Sequence, residues 1–306
     1  MNKQERENLK LEFYEKLKEL MIADGTINNF KHIFSVAAQT EDMLDKDVCE
    51  FNSTECDELL KSYPNRSKGI VNANISRLKS YMTFCIEKGC VPSRTNWFAT
   101  LTLNENRYLN KGYVANQYIT REELTEMQDK ILVNERDRAL LELLFVGVRG
   151  QELEEIRNLT KDDVLPNRIV LPNRKIPISE RTYNILQGAI EQTEYLRSNG
   201  NFEGQTGVMF FTINPSQYVI RPAGKNKIGV FNKSSIRESF GAIKKYVGNP
   251  FLSPNNIFFS GLIDLAKQCK EAKGEVSDLD WENISEIYNI NNKDSKITKR
   301  KYENLI

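Results

Sequence analysis

The stretch from Arg138 to Val164, RALLELLFVGVRGQELEEIRNLTKDDV, most constrains what this chain can fold into. Its first part is apolar on nearly every face (Leu140, Leu141, Leu143, Leu144, Phe145), the pattern of a helix buried all round. It runs into Gly147-Val148-Arg149 and then restarts as an acidic helix carrying Glu152, Leu153 and Leu159. A sequence of this kind holds one arginine at a buried helix junction, where its guanidinium can grip a phosphate. An ion pair with Glu152, three residues on, fits the same spacing. The chain has a single histidine, His32, far from this junction in sequence, and no function is assigned to it.

The length of 306 residues suggests two domains, each able to bury its own core. No apolar run approaches the ~18 residues that span a bilayer. The polar start, Met1 to Arg6, is neither a signal nor a transit peptide, so a cytoplasmic chain without membrane partners is expected. Five cysteines (Cys49, Cys56, Cys85, Cys90, Cys269) include no C-x-x-C pair and read as buried free thiols rather than a zinc site. No metal or cofactor is expected.

Net charge is only +1, but the charges come in blocks. Lys61 to Arg94 holds seven bases against Glu87, and Arg221 to Lys245 holds seven against Glu238. Lys293, Lys296, Lys299, Arg300 and Lys301 form a basic tail, while Glu41–Glu58 and Glu271–Glu286 are acidic. Such blocks let a near-neutral protein carry one positive face, and they are equally compatible with ordinary solvated surfaces.

The first half reads as helices. One carries Leu9, Phe13, Leu17 and Met21 and stops at Asp24-Gly25, a second covers Ile27 to Leu44, and a short one runs from Thr54 to Leu60. The clearest stripe is Val71, Ile75, Leu78, Met82 and Cys85, ended by Gly89 and Pro92. Arg94 to Asn116 is polar and weakly periodic, the mark of a linker. The second half opens on a capping box at Thr120–Glu123. Asn167 to Ser179 predicts an antiparallel hairpin around Pro172-Asn173-Arg174. Helices follow over Glu180–Leu196 and Ser235–Val247, from Ser253-Pro254 onward, and around Ile284 and Tyr302. The expected class is mainly α with a small antiparallel β-hairpin, in domains 1–116 and 117–306.

From about Asp47 to the end, these elements resemble the tyrosine recombinase or phage integrase family. Asn74 to Phe84 followed by Lys88-Gly89-Cys90-Val91-Pro92 is similar to that family's core-binding helix. Gly147-Val148-Arg149-Gly150-Gln151-Glu152-Leu153 resembles the box of its first catalytic arginine, the most specific of these matches. A slighter similarity is to the recombinase-like master repressors of SPbeta-type temperate phages. The resemblance implies a two-domain clamp around DNA. It also implies a chemistry in which a tyrosine attacks a phosphodiester while two arginines, a hairpin lysine and one or two histidines stabilise the phosphorane.

Carried over residue by residue, Arg149 stands for the first arginine, with Glu152 orienting it, and Lys175 or Arg174 for the hairpin lysine. Tyr302 stands in the nucleophile segment. The next box fails: where the family has histidine and arginine, this chain has Asn255 and Phe258. Asn255 suits a helix cap. The second histidine has no counterpart around Tyr288 to Asn292, and Lys267 to Asp280 looks inserted. No catalytic residue is expected; Arg149, Lys175, Asn255, Phe258 and Tyr302 are vestigial positions.

The reading that follows is a sequence-specific double-stranded DNA binder at the nucleoid, a phage repressor of lysogeny without strand cleavage. Its DNA contacts are expected from Arg66, Lys68, Arg77, Lys79, Arg94, Arg149, Arg174, Lys175, Lys225, Lys227, Lys233 and Arg237, with Arg77 and Lys79 reading bases. Self-association or a regulatory protein or peptide partner is compatible with it. Two alternatives stay open: a recombinase active through Tyr302, which a covalent DNA adduct would reveal, and a protein-interaction module, whose binding would not fall steeply with salt.

Overall fold

The computed structural model describes residues 1–64, 68–91, 94–101, 107–109, 116–204, 206–224, 229–302 and 305–306; at 68, 292, 293, 297 and 301 it describes the backbone alone. Arg66, Lys225 and Lys227 lie outside the described residues, as does much of the expected linker. The chain divides into two compact units, Met1–Ala115 and Asn116–Ile306. Among the described residues it is mainly helical with two small antiparallel sheets. Among the described residues no helix is long and apolar enough to cross a membrane.

In the first unit, α1 (Lys3–Glu19), α2 (Asp24–Leu44), α3 (Ser53–Ser62) and α4 (Lys68–Glu87) enclose one apolar core. Phe13 sits at its centre, edge-on to Phe30 and Tyr81 at 5.2 Å each. Asp24-Gly25, expected to end the first helix, instead opens the second. An acid in a first turn favours a helix N-terminus, which is the physical reason the break falls earlier. Asn52 closes a capping box on α3. The expected linker is partly core: α5 (Trp97–Thr100) buries Phe98, and Tyr108 is buried while donating to Asp57 at 2.8 Å.

In the second unit, the Thr120 capping box starts α6 (Arg121–Glu126), which continues through a wider π turn, Met127–Ile131. The buried helix is α7 (Glu135–Phe145). Its one deeply buried acid of the middle turns, Glu142, is satisfied by Arg121 at 2.9 Å to each oxygen, by Gln128 at 3.0 Å and by the Thr182 hydroxyl at 2.6 Å. After the junction comes the short α8 (Glu154–Asn158). Strands β1 (Val164–Leu165), β2 (Arg168–Leu171) and β3 (Arg174–Pro177) form an antiparallel sheet with Val170 opposite Lys175.

The next helix, α9 (Glu180–Glu191), is shorter than expected. Glu194–Leu196 is strand β4, paired with β5 (Phe210–Thr212). Long-range contacts override helix propensity here: Asn134 donates to the Leu196 carbonyl at 3.0 Å, and the Tyr195 hydroxyl donates to buried Asp137 at 2.8 Å. Helices α10 (Lys233–Tyr246), α11 (Pro254–Lys273), α12 (Asp278–Ile287) and α13 (Asn292–Tyr302) complete the unit. The stretch that looks inserted, Lys267 to Asp280, is the end of α11 and the start of α12. Helix α11 crosses α7 so closely that a Cβ on Gly261 would lie 1.7 Å from the Phe145 carbonyl oxygen.

Candidate functional site

The junction after α7 is built from unusual backbone. Gly147 (φ 102°) and Gly150 (φ 66°) turn the chain through the left-handed region, as do Glu152 (φ 53°) and Leu153 (φ 63°). Glycine is needed at 150 for space as well: a Cβ would meet the Cγ atoms of Glu154 and Glu155 at 2.8 Å. Non-glycine residues in this region cost on the order of 1–2 kcal/mol each, so surrounding contacts must hold them. The expected helical restart at Glu152 is therefore corrected: helix begins only at Glu154.

Those contacts converge on Glu155. One carboxylate oxygen accepts the Arg149 backbone N–H at 2.8 Å, and the carboxylate takes a two-point grip from Arg174, at 2.5 and 2.9 Å. Arg174 also donates to the Gly147 carbonyl at 2.9 Å and the Ile287 carbonyl at 2.8 Å. Burial opposes ionisation of Glu155, but the Arg174 and Arg149 hydrogen bonds and charges outweigh it and hold the carboxyl below its ordinary range. This triangle fixes the turn from which the Arg149 side chain projects.

Arg149 itself is half-buried. Its guanidinium lies over the face of Phe258 at 3.9 Å, within 5.7 Å of the Phe259 centroid, and donates to Asn255 Oδ1 at 3.1 Å. Among the described residues it makes no side-chain ion pair. Burial pulls the guanidinium below its ordinary value, while Glu155 and Tyr302 act the other way. Phe258 is 1% exposed and packs edge-on to Tyr288 at 5.0 Å. Tyr302 is also 1% exposed, held between Tyr118 at 5.5 Å and Phe259 at 5.2 Å. The structure thus brings together Arg149, Asn255, Phe258 and Tyr302, which lie far apart in sequence.

Several sequence expectations need correction. Glu152 does not orient Arg149; it pairs with Lys233, because its left-handed backbone turns the side chain outward. Glu155, six residues from Arg149 and closer in space through the turn, takes the orienting role. Asn255 does not cap α11: Ser253 does, accepting from the Asn256 N–H, and Asn255 is left exposed to meet Arg149.

Arg174 is 9% exposed with its donors used internally, which takes it out of the set that could reach DNA. Lys175, its neighbour on β3, alternates to the solvent side. Arg221 is likewise interior, donating to the carbonyls of Ala189, Ile190 and Gln192 at 2.7–2.8 Å, where it closes the end of α9. Lys79, Arg94 and Arg237 are exposed and Arg77 is half-buried. Arg77 and Lys79, two apart on a helix, cannot share a face. Of Lys68 only the backbone is described.

Two family models match the chain. Residues 118–305 match the family model described as MrpR, C-terminal catalytic domain, and residues 5–87 match MrpR, N-terminal core-binding domain. The chain is 30% identical over 265 residues to the SPbeta prophage-derived uncharacterized protein YopR of Bacillus subtilis (strain 168), covering 83% of this chain and 81% of that one. Among solved structures it is similar to the XerA recombinase, with 13% identity, TM-score 0.37 and coverage of 97% and 98% of the two chains. It is also similar to a lambda integrase dimer bound to a COC′ core site, with 14% identity, TM-score 0.48 and coverage of 96% and 97%.

The two family-model matches place the chain in a class of two-domain proteins whose models are described as core-binding and catalytic. Within that class it belongs to the MrpR family.

Proposed function

We propose that this chain is a sequence-specific double-stranded DNA-binding protein that acts as a phage repressor, works at the nucleoid, and does not cut DNA. The observation that carries this reading is the surroundings of Arg149. Its guanidinium forms no close ion pair among the described residues, feels the Glu155 charge from farther off, and is braced by Phe258 and Asn255, which suits it to meet a DNA phosphate. The positions that resemble a recombinase's histidine and second arginine are filled by those same two residues. They supply neither a proton nor a second charge.

Losing two such donors, at about 3–4 kcal/mol each, lowers a phosphoryl-transfer rate by roughly 10⁴–10⁶-fold. The burial of Tyr302 among Tyr118 and Phe259 is a second support, since a nucleophile must reach its phosphorus. The prophage-derived name of the Bacillus subtilis relative supports a phage-borne role. Exposed Lys79, Arg94, Lys175 and Arg237, with half-buried Arg77 and with Lys233, are the side chains proposed to meet DNA beside Arg149.

The test is binding-site selection on fragmented phage and host DNA at moderate salt, followed by incubation of the recovered site with protein and denaturing electrophoresis. One recurrent motif and no covalent adduct is the expected result. No enrichment overturns the DNA-binding reading. An adduct that disappears in Tyr302→Phe overturns the inactive one.

A further inference from the structure

The core of the first unit contains a cluster that cysteine spacing alone does not reveal. Asp47, Cys49 and Cys85 are all buried, and their carboxylate and thiol atoms lie within 4.8 Å of one another. Two local features bring them together. Asp47 caps the 3-10 turn Val48–Glu50, accepting the Cys49 N–H at 2.9 Å, so Asp47 and Cys49 face inward side by side. Cys85 lies one helical turn beyond Tyr81 on α4, which puts both on one face. The Tyr81 hydroxyl donates to the second Asp47 oxygen at 3.1 Å, and its ring is packed 4.6 Å from Phe34 and 5.2 Å from Phe13.

We propose that Asp47, Cys49 and Cys85 are the protein ligands of a structural Zn²⁺-class ion, with the Tyr81 hydroxyl hydrogen-bonded to the Asp47 carboxylate behind them. A tetrahedral zinc with bonds of about 2.3 Å to sulfur and 2.0–2.2 Å to oxygen sets neighbouring ligands roughly 3.5–3.8 Å apart. The observed limit of 4.8 Å is therefore within about 1 Å of closure. The hydrogen bonds to Asp47 from Cys49 and Tyr81 orient the carboxylate in the way outer groups orient a metal ligand.

Charge fits as well. Two thiolates and a carboxylate around Zn²⁺ leave one negative charge, and the Lys10 ammonium lies 3.8 Å from Asp47. Glu41, whose carboxyl burial pushes up, takes the other side of that ammonium. Binding forms two Zn–S bonds and a Zn–O bond to Asp47 and releases the two thiol protons to solvent. No electron moves. The ion joins the turn after α2 to the end of α4, through a D-x-C pair and Cys85 rather than C-x-x-C.

The experiment uses the full chain, reduced, unfolded with chelator and refolded with Co²⁺ or Zn²⁺ as probes. The expected result is one ion per chain by elemental analysis and, with Co²⁺, the thiolate-to-metal absorption and visible bands of a tetrahedral site. Both are lost in Cys49→Ser and Cys85→Ser and kept in Cys269→Ser. Because a core serine can unfold the unit, single-tryptophan chains supply an independent reading: chelator is expected to lower the melting temperature of Trp281→Phe, reported by Trp97, and leave that of Trp97→Phe, reported by Trp281. Retention of no ion, with every thiol free to a thiol reagent in denaturant, overturns the proposal in favour of a plain hydrogen-bonded cluster. Two missing thiols before reduction overturn it in favour of a Cys49–Cys85 disulfide.

Discussion

Replacing Arg174 by methionine tests whether the Glu155 triangle holds the Arg149 turn in place. The side chains of Arg174 and Glu155 are 4% and 11% exposed, and the guanidinium satisfies one carboxylate and two carbonyls. Methionine keeps much of the stem's volume but leaves the half-buried carboxylate without its ion pair, holding the Arg149 backbone N–H. Removing one member of such a buried pair typically costs about 3–5 kcal/mol. With a urea dependence of about 2 kcal/mol/M, the unfolding midpoint of the second unit falls by roughly 2 M. The two tryptophans separate the units, since Trp97 belongs to the first and Trp281 to the second. Urea titration of Trp97→Phe by fluorescence therefore follows the second unit, with Lys175→Ala as the exposed control.

The pH dependence has a definite sign. Glu155 is held below its ordinary value in the folded state, so its contribution is complete above the unfolded value of about 4.3 and is lost as pH falls through the folded value. The gap between Arg174→Met and wild type should accordingly narrow below about pH 4. A midpoint shift no larger than that of Lys175→Ala, or a gap that widens in acid, refutes the reasoning.

Gly261→Ala should prevent the close crossing of α7 and α11, because its Cβ would sit 1.7 Å from a carbonyl oxygen and 2.6 Å from the Tyr288 hydroxyl; a second unit that folds with unchanged stability would contradict that packing. Arg149→Ala should weaken DNA binding by a similar factor on every sequence and lower the salt slope by about one per site, read by fluorescence anisotropy across a salt series. Tyr302→Phe should leave the affinity for the selected DNA unchanged, checked in the same titration. Phe258→Arg should destabilise the second unit, through a second cation placed in a buried pocket beside Arg149, rather than create cleavage; thermal melting and the adduct gel together decide it.

The elements most legible in the sequence are those whose cause is local. The α4 stripe, the Thr120 capping box, the turn at Pro172-Asn173 and the Ser253-Pro254 start each depend on residues within one or two turns. What escaped depends on partners far away. Strand β4 reads as the end of a helix until Asn134 and Asp137, about sixty residues earlier, supply its hydrogen bonds. Arg174 reads as a surface cation until Ile287, 113 residues later, takes its donor. The choice between Glu152 and Glu155 turned on two left-handed residues, and nothing in the side chains of Glu152 or Leu153 announces that conformation.

On the proposed reading, the candidate site accounts for an arginine at 149 beside Asn255 and Phe258. Arg149 is placed by backbone: its amide is tied to Glu155, Glu155 to Arg174, and Arg174 to the carbonyls of Gly147 and Ile287. The hydrogen bonds of that scaffold use the backbone of Arg149, not its guanidinium. Phe258 and Asn255, by contrast, sit on α11 and serve the guanidinium directly, one beneath its face and one at its edge. An aromatic face and an amide oxygen stabilise a half-buried cation without neutralising it, whereas a carboxylate would compete with phosphate. A site tuned for turnover needs several donors converging on one phosphorus. On the proposed function, a site that only holds a phosphate needs one well-braced cation, and Phe258 and Asn255 brace Arg149.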